Sequence, residues 1–465
     1  MKMKLATIAA ATMLPLAASA QAGAGAIING VPWYDDRDSV VSAHGANIVA
    51  DGGRYYMFGE NKTDSANTFT GFSCYSSANL VDWKFERIAL KTQACGRLGP
   101  GRVGERPKVM RCPKTGEYVM LMHSDDLRYK DPCVAYATSD SINGEYTFRG
   151  PLLYKGKPIR KWDIGSFVDD DGQAYLLVHH GYIYRLAPDF HSADSCLTAG
   201  VKGAGESPAM FKHDGTYYWL SSHTTSWERN DNMYHTSKSL SGPWQLQGPF
   251  CPEGSLTHNS QTTYVLPLTI EGRQVPMFMG DRWSFPKQHS AATYVWMPIT
   301  MENGRMSIPE LWQAWNPQTG RQADIGMHPV GRRWASDAVG DTMSVAFSGC
   351  RVGLKGTLGP DCGYAPVRVT DGQGRTVQSQ TVDFYAKKAS TGLRFVSRRL
   401  PEGRYTLTVT VTGFRPNWTD KSKTVYGSRG TFVRIDDVVV IGYGTQSRRT
   451  ITAAGSKEDA EKIAR

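Results

Sequence analysis

The stretch NIVADGGRYYMF, residues 47–58, decides the fold of the first two thirds of the chain. It joins a short apolar run to an aromatic-rich run through Asp-Gly-Gly. An Asp-Gly turn between two strand-forming runs is the strongest short-range indication of a β-hairpin. Similar stretches, each with its own turn, recur at residues 109–122, 167–178, 210–220 and 264–279. The sequence therefore predicts five related hairpins.

A second pattern follows three of these hairpins. It is a further strand-like run, a polar turn and an aromatic residue, as at 74–83, 135–146 and 234–244. Four strands per unit and a spacing of about 43 to 62 residues are typical of propeller blades. We therefore predict an all-β protein with a five-bladed β-propeller over residues 28–318. The alternative is a set of unrelated hairpins in a β-sandwich.

The pattern changes after Trp315. Longer alternating strands at 343–347, 367–369, 405–409 and 438–441 are separated by glycine-containing turns. They predict a second domain, a jelly-roll-like β-sandwich over residues 329–443. The polar, basic stretch 444–465 has no hydrophobic face and is predicted to be a flexible tail.

The first twenty residues have the features of a secretory signal peptide. Lys2 and Lys4 precede an apolar run, which ends in the small residues Ala18-Ser19-Ala20. We predict cleavage after residue 20 and a secreted or periplasmic protein. No later apolar run reaches the roughly 18–20 residues that span a bilayer, so no membrane association is expected after cleavage.

The chain has eight cysteines, and none belongs to a Cys-x-x-Cys motif typical of zinc sites. In an oxidising compartment some of them are expected to form disulfides, with Cys350 and Cys362 the best single pairing. The overall connectivity stays open. No metal and no cofactor is predicted.

The net charge of +10 is unevenly distributed. Residues 1–328 are neutral, and the whole excess of Lys and Arg lies in 329–465. The basic residues are scattered rather than clustered, which together with the signal peptide argues against a nucleic-acid partner. A solvated basic surface is the simpler interpretation, and affinity for an acidic polysaccharide is the alternative. The sequence does not indicate an oligomeric state.

One polar residue lies at the start of the first strand in each predicted unit. The five are His44, Glu105, Asp163, Glu206 and Gln261. First strands line a propeller's central channel, so these side chains are predicted to converge at its mouth. Three carboxyls in one cleft are costly to desolvate unless they are paired or used. Two carboxyls with flanking aromatic residues are typical of glycosidases, in which one acid protonates the leaving oxygen.

At this point the chain resembles glycoside hydrolase family 43, and within it the exo-β-1,3-galactanase branch. The resemblance extends over about residues 28–318. It rests on the segments AHGA at 43–46, GENK at 59–62, ERPK at 105–108, GESP at 205–208 and NSQT at 259–262. It implies a five-bladed propeller that hydrolyses glycosidic bonds with inversion.

The resemblance also implies roles for individual residues. Glu206 corresponds to the general acid, and Asp163 to the carboxylate that orients it and keeps it protonated. The usual aspartate base is missing, because His44 stands in its segment. The galactanase branch likewise lacks that base, and Gln261 corresponds to the glutamine that holds the water there. His44 is an alternative base because an imidazole titrates near neutral pH, and Glu105 is a third candidate for the base.

Further residues are predicted to bind sugar. The resemblance makes Glu105 a ligand of sugar hydroxyls, and Glu60, Arg106 and Tyr129 are weaker candidates for the same pocket. Trp227 and Trp283 are candidates for stacking against galactose, with packing inside the propeller as the alternative. In the C-terminal region, Trp418 is the one candidate for an exposed sugar-binding platform.

These observations predict an enzyme that releases galactose from the β-1,3-galactan backbone of arabinogalactan. A first alternative keeps the family and changes the sugar, giving an α-L-arabinofuranosidase or a β-xylosidase. A second alternative is a galactan-binding propeller without hydrolytic activity.

Overall fold

The computed structural model describes residues 25–442, so the predicted signal peptide (1–20) and tail (444–465) lie outside the described residues. The prediction of an all-β chain is confirmed. Helical segments within the described part are short: Gly96–Leu98, His179–Gly181, Leu256–Asn259 and Gln288–Ala291. Across residues 25–442 no helix combines the length and apolar character needed to cross a membrane.

Five antiparallel sheets follow one another along the chain. Sheet 1 contains His44–Asp51, Arg54–Glu60, Phe72–Ser77 and Lys84–Leu90. Sheet 2 contains Arg102–Arg111, Tyr118–Asp126, Cys133–Ser139 and Thr147–Pro151. Sheet 3 contains Ile164–Val168, Ala174–Val178, Tyr182–Leu186 and Ser192–Ala199, extended by Leu153–Tyr154 and Lys157–Pro158.

The last two of the five sheets complete the series. Sheet 4 contains Glu206–His213, Thr216–Ser222, Met233–Ser237 and Gln245–Pro249. Sheet 5 contains Gln261–Ile270, Arg273–Arg282 and Thr293–Pro298. A hairpin of Thr300–Glu302 and Arg305–Ser307 follows. Ile27–Ile28 then pairs with Ala314–Asn316, which also pairs with Arg321–Gln322, so both ends of this region meet.

The first strands of the five sheets lie side by side. In sheets 1, 2, 4 and 5 the strands pair in chain order, starting with the predicted hairpin. In sheet 3 the four strands from Ile164–Val168 onward also pair in chain order, and Leu153–Tyr154 is added in parallel to Ser192–Ala199. The first strand of each sheet contacts the first strand of the next sheet, and that of sheet 5 returns to that of sheet 1. Side chains at the beginnings of these strands are therefore brought to one place.

Two further antiparallel sheets form the C-terminal region. Sheet 6 has the order Met327–Pro329, Val433–Ile441, Val352–Leu358, Ser390–Val396, with Trp334–Ser336 also on Val433–Ile441. Sheet 7 has the order Thr342–Gly349, Gly403–Thr410, Tyr364–Asp371, Thr376–Asp383. Alternate residues of both sheets, such as Val345, Leu354, Leu407 and Val438, are buried in one shared hydrophobic cluster. A separate hairpin consists of Asn417–Thr419 and Val425–Gly427.

The predicted Cys350–Cys362 disulfide is wrong for this structure. All eight cysteines have free thiols. The strand Val352–Leu358 lies between the two, and seven extended residues span about 20 Å, whereas a disulfide needs Cα atoms within about 7 Å. The Cys362 sulfur instead lies 2.8 Å from an Arg434 guanidinium nitrogen.

Buried polar contacts join the C-terminal region to the five sheets. The Tyr364 hydroxyl donates to the backbone oxygens of Ser284 and Phe285 at 3.1 and 3.0 Å. The Ser284 hydroxyl donates to the Asp383 carboxylate at 2.8 Å. These contacts place one edge of the C-terminal region next to the loop that follows Arg282.

Candidate active site

The five residues predicted at the strand beginnings meet in one buried cluster. His44, Glu206 and Gln261 are each the first residue of their strand, Glu105 lies near the start of its strand, and Asp163 directly precedes Ile164. All five are less than 10% exposed. The prediction that these side chains lie at one end of the first strands is consistent with these positions.

A β-bulge at corresponding places in four of the sheets sets the direction of these side chains. The pairing of first and second strands shifts register just after the polar residue, after His44, Glu105, Glu206 and Thr262. At these bulges Gly45, Arg106 and Ser207 have φ of +63°, +50° and +57°. Bulges redirect side chains and tolerate proline, which explains Pro107 and Pro208 directly after two of them.

Arg106 connects the cluster. Its guanidinium donates to the Asp163 carboxylate, to Ser207 Oγ at 2.5 Å and to Gln261 Oε1 at 2.9 Å. Its backbone N–H donates to Glu60 Oε1 at 3.0 Å. Burial alone would lower the pKa of Arg106, but the surrounding carboxylates, Asp163 foremost, raise it above its ordinary value. Arg106 is therefore a permanent positive charge that ties sheets 1 to 5 together at this point.

Glu206 is a carboxyl that holds its proton. Burial raises the pKa of Glu206 well above its usual range, and the negative charge of Asp163 raises it further. Arg106 and a hydrogen bond from Gln261 Nε2 at 3.1 Å act in the opposite direction but are outweighed. A protonated carboxyl in a cleft is able to donate a proton to a leaving oxygen.

Asp163 is held beside Glu206 by hydrogen bonds to its carboxylate. It accepts the backbone N–H of Ser207 and the guanidinium of Arg106. Since Ser207 follows Glu206 directly, this contact links the beginnings of sheets 3 and 4. The arrangement places a negative charge next to Glu206 without a direct contact between the carboxyls.

Gln261 has all four hydrogen-bonding positions of its amide occupied. Its Oε1 accepts from Arg106 at 2.9 Å and from the indole of Trp283 at 2.7 Å. Its Nε2 donates to Glu206 at 3.1 Å and to Ser222 Oγ at 2.8 Å. Because arginine and indole are donors only, the amide oxygen must face them.

Glu105 has the opposite electrostatic character to Glu206. Burial would raise the pKa of Glu105, but the hydrogen bond and charge of His123 at 2.9 Å bring it below its usual range. Its other oxygen accepts from Tyr129 at 2.8 Å and Asn67 at 2.5 Å. Burial would lower the pKa of His123, but the hydrogen bonds that its ring donates to the Asp125 and Glu105 carboxylates raise it to about 9.

Glu60 is a further buried carboxyl of this cluster. It accepts the backbone N–H of Arg106 and pairs with Lys62, whose ammonium also donates to Asn67 at 2.8 Å. Burial, only partly offset by Lys62, raises the pKa of Glu60. The Lys62 ammonium lies 5.2 Å from the ring centres of both Trp227 and Trp283.

His44 and the neighbouring segment Asp281-Arg282-Trp283 make different sets of contacts. His44 Nδ1 lies 3.0 Å from Asp281, and its ring stacks on Tyr294 at 4.5 Å between centres. Asp281 also accepts the Gly45 N–H at 3.0 Å, so it fixes the first-strand bulge of sheet 1. Arg282 points away, to the backbone oxygens of residues 258 and 259. Of these three residues, Trp283 donates a side-chain hydrogen bond to Gln261, and Asp281 lies opposite Gln261 in the strand pairing.

Sequence reasoning missed several members of the cluster. Asn67, His123, Asp125, Lys62 and Lys108 had no predicted role. Lys108 is fully buried, and its ammonium donates to two backbone oxygens of sheet 1, at 2.6 and 3.0 Å. Burial, followed by repulsion from Arg106, lowers the pKa of Lys108 to about 7. For Lys62 and Lys108 the sequence did offer an indication, because Lys62 lies in the GENK segment and Lys108 in the ERPK segment.

Comparisons with known proteins agree with this geometry. The profile of glycosyl hydrolases family 43 matches residues 41–263, a range that includes His44, Glu105, Asp163, Glu206 and Gln261. No curated protein sequence matches the chain.

Several solved structures are similar to this chain. A Bifidobacterium bifidum protein assigned as an exo-β-1,3-galactanase is 32% identical over 63% of this chain and 98% of its own, with a TM-score of 0.57. An exo-β-1,3-galactanase from Phanerochaete chrysosporium, solved as a Glu-to-Gln variant with β-1,3-galactotriose, is 25% identical over 90% of this chain and 100% of its own, with a TM-score of 0.66. One from Clostridium thermocellum is 25% identical over 88% and 86%, with a TM-score of 0.58.

These comparisons confirm the resemblance predicted from the sequence. The Bifidobacterium relative is covered almost completely, and the family profile spans all five residues of the cluster. The chain belongs to glycoside hydrolase family 43 and is a glycoside hydrolase.

Proposed function

We propose that the chain is a secreted, inverting exo-β-1,3-galactanase that releases galactose from galactan backbones of arabinogalactan. We further propose that sheets 1 to 5 are the blades of a five-bladed propeller over residues 28–318, and that sheets 6 and 7 are an accessory β-sandwich over 329–443. The ring of contacts between first strands and the hydrophobic cluster shared by sheets 6 and 7 support this division. The galactanase relatives support the choice of substrate.

One observation carries the proposal: Glu206 is buried beside Asp163 and Arg106, and burial together with the Asp163 carboxylate raises the pKa of Glu206 well above its usual range. In the proposed reaction Glu206 gives its proton to the glycosidic oxygen as the bond to the anomeric carbon breaks. A water attacks the opposite face, its oxygen bonds to the anomeric carbon, and one of its protons returns to solvent. Solvent then reprotonates Glu206. General acid catalysis of this kind contributes about 10²–10⁴-fold to the rate.

Gln261 is proposed to hold the attacking water. Its oxygen already accepts two hydrogen bonds, so a water can bind there only after one donor moves away. The Trp283 indole is the donor we expect substrate to displace, because Arg106 is held by three other contacts. His44, paired with Asp281 and stacked on Tyr294, is proposed to position the first-strand bulge of sheet 1 rather than to act as the base.

The other side of the pocket is proposed to bind the terminal galactose. Glu105 is ionised and accepts hydrogen bonds, which suits it to sugar hydroxyls. Tyr129, Glu60 and Arg106 are proposed to surround the same sugar. Trp227 is half-buried and offers aromatic surface next to Lys62. Trp283 also lies next to Lys62, but it is buried, so the proposed sugar stacking at Trp283 requires its indole to move.

Product analysis on β-1,3-galactobiose and debranched arabinogalactan tests the proposal. Wild type is expected to release galactose, with the inverted anomer formed first in proton NMR. Glu206→Gln and Gln261→Ala are expected to abolish release. Gln247→Ala, at an exposed glutamine in sheet 4, is the matched control and is expected to retain full activity.

Three results would contradict parts of this proposal. Retention of configuration would reject the inverting mechanism. Arabinose or xylose release without galactose would assign a different substrate within the family. Activity in the growth medium or periplasm of the native host tests secretion, and activity confined to the cytoplasm would reject it.

A further inference from the structure

The hairpin Asn417–Thr419 and Val425–Gly427, called the C-terminal hairpin below, makes contacts with the active-site region. At its base the Trp418 indole donates to Ser226 Oγ at 3.2 Å and meets the Phe285 ring edge-on. At its tip the Lys421 ammonium donates to the backbone oxygen of Tyr129 at 3.1 Å and lies over the Tyr129 ring. Trp418 is 9% exposed, so the predicted exposed platform at this residue is wrong.

The residues that the C-terminal hairpin contacts lie in three loops at the same end of the sheets. Tyr129, Ser226 and Phe285 each follow the second strand of their sheet, in sheets 2, 4 and 5. In an antiparallel hairpin the second strand ends where the first begins, which is the end that carries the catalytic cluster. The C-terminal hairpin therefore bridges separate sides of the pocket mouth.

Each contact point is connected to a proposed catalytic or binding group through one or two residue contacts. On one side, the Tyr129 hydroxyl donates to Glu105 at 2.8 Å. On the other side, Phe285 stacks parallel on Trp227, at 5.6 Å between ring centres. Trp227 contacts Trp283, whose indole donates to Gln261.

The surface between these points has the chemistry of an oligosaccharide site. Trp227, Phe285 and Tyr426 are half-buried and form, with Trp418, a continuous row of aromatic rings. Flat aromatic surface with a polar edge suits the apolar face of a galactose unit. Lys421 is exposed beside this row, and an ammonium has three donors for sugar hydroxyls.

From this arrangement we infer that the C-terminal hairpin is part of the substrate site and binds galactose units of the β-1,3-galactan chain outside the catalytic pocket. This inference rests on the proposed galactanase function and adds the element that binds the rest of the chain. Its consequence is that affinity rises with chain length only while the C-terminal hairpin is intact.

Binding measurements in a Glu206→Gln background test the inference without turnover. Calorimetry would give Kd for β-1,3-galactobiose, galactotriose and galactotetraose. Lys421→Ala and Tyr426→Ala are expected to weaken binding of the tetrasaccharide about three- to tenfold, with a loss that shrinks as the chain shortens. Val425→Ala, at a residue of the same hairpin that is 78% exposed, is the control and is expected to bind all three like the parent.

The outcomes separate this inference from the proposed function. Equal losses at every chain length would overturn it and would mean that the hairpin only positions Tyr129. No loss at any length would also overturn it and leave the hairpin as a structural strut. A parent protein that binds none of the three sugars would reject the galactanase function itself. Unfolding temperatures and a Tyr426→Phe variant, which keeps the ring, distinguish lost sugar contacts from lost folding.

Discussion

Glu206 and Glu105 are the same residue type at corresponding places in sheets 4 and 2, yet their surroundings give them opposite charge states. Burial and the Asp163 carboxylate keep the pKa of Glu206 high. His123, itself held positive by Asp125, keeps the pKa of Glu105 low. Position in the fold brings both carboxyls to the pocket, and the neighbouring charge decides which one carries the proton.

The difference divides the pocket into two sides. In the proposed mechanism the side around Glu206, Asp163 and Gln261 donates the proton. The side around Glu105 and Tyr129 is proposed to present a negative charge to sugar hydroxyls. A pair of environments that separates two carboxyl pKa values is the usual basis of acid-base assignment in hydrolases.

The largest expected effect comes from removing the proton donor. Glu206→Gln should lower kcat on β-1,3-galactobiose by about 10³–10⁴-fold, because the leaving oxygen then departs without a proton. Rates from coupled galactose detection give this number. A galactoside with a strongly acidic leaving group should lose much less, since its leaving oxygen needs no proton. Equal losses on both substrates would contradict the role of Glu206 as the acid.

Removing the neighbouring charge should have the next largest effect. Asp163→Asn is expected to lower kcat/KM at neutral pH by roughly 10²-fold. It should also lower the pKa of Glu206, because a negative neighbour is lost while Arg106 remains. The acid is active only while protonated, so the alkaline limb of the pH profile should move to lower pH. An alkaline limb that stays in place or moves upward would refute this coupling.

The matching change on the other side is His123→Asn. Without the imidazolium the pKa of Glu105 should rise, so the acidic limb of kcat/KM should move to higher pH. KM at mildly acidic pH is expected to increase about tenfold, the value of one lost charge-assisted hydrogen bond to the sugar. His191→Asn, at a half-buried histidine that directly precedes the strand Ser192–Ala199 and pairs with Glu117 rather than with the pocket residues, is the control. A shift of the alkaline limb instead would reverse the assignment of the two sides.

The smallest expected effect is on stability. A raised carboxyl pKa costs stability above the unfolded value of about 4.3, so Glu206→Gln should raise Tm at neutral pH by roughly 1–3 °C. A depressed pKa contributes stability above that same value and loses it as pH falls through the folded pKa. Glu105→Gln should therefore lower Tm at neutral pH. Scanning calorimetry at pH 4 and pH 7 is the check: the Glu206→Gln difference should shrink at pH 4, whereas most of the Glu105→Gln difference should persist there, because the folded-state pKa of Glu105 is lowered well below its usual range.

Much of the fold followed from local sequence patterns. The Asp-Gly turns and aromatic runs predicted all five hairpins, because turn type and alternation are local properties. The strand beginnings His44, Glu105, Asp163, Glu206 and Gln261 were predicted from their places relative to those turns. The Cys350–Cys362 pairing was wrong because closeness in sequence ignored the extended strand between them.

The electrostatic partners were not predictable in the same way. His123 and Asp125 lie in a second strand, where alternate side chains face inward or outward according to pairing register rather than residue type. Trp418 was predicted to be an exposed platform. It is buried by Ser226 and Phe285, which are more than 100 residues away in the chain.

The most direct test of this account is infrared difference spectroscopy of the carboxylic acid C=O stretch at neutral pH. Wild type minus Glu206→Gln is predicted to show the band of a protonated carboxyl, and wild type minus Glu105→Gln is predicted to show none in that region. A protonated band that disappears in Glu105→Gln but persists in Glu206→Gln would contradict the assignment of acid and sugar-binding sides.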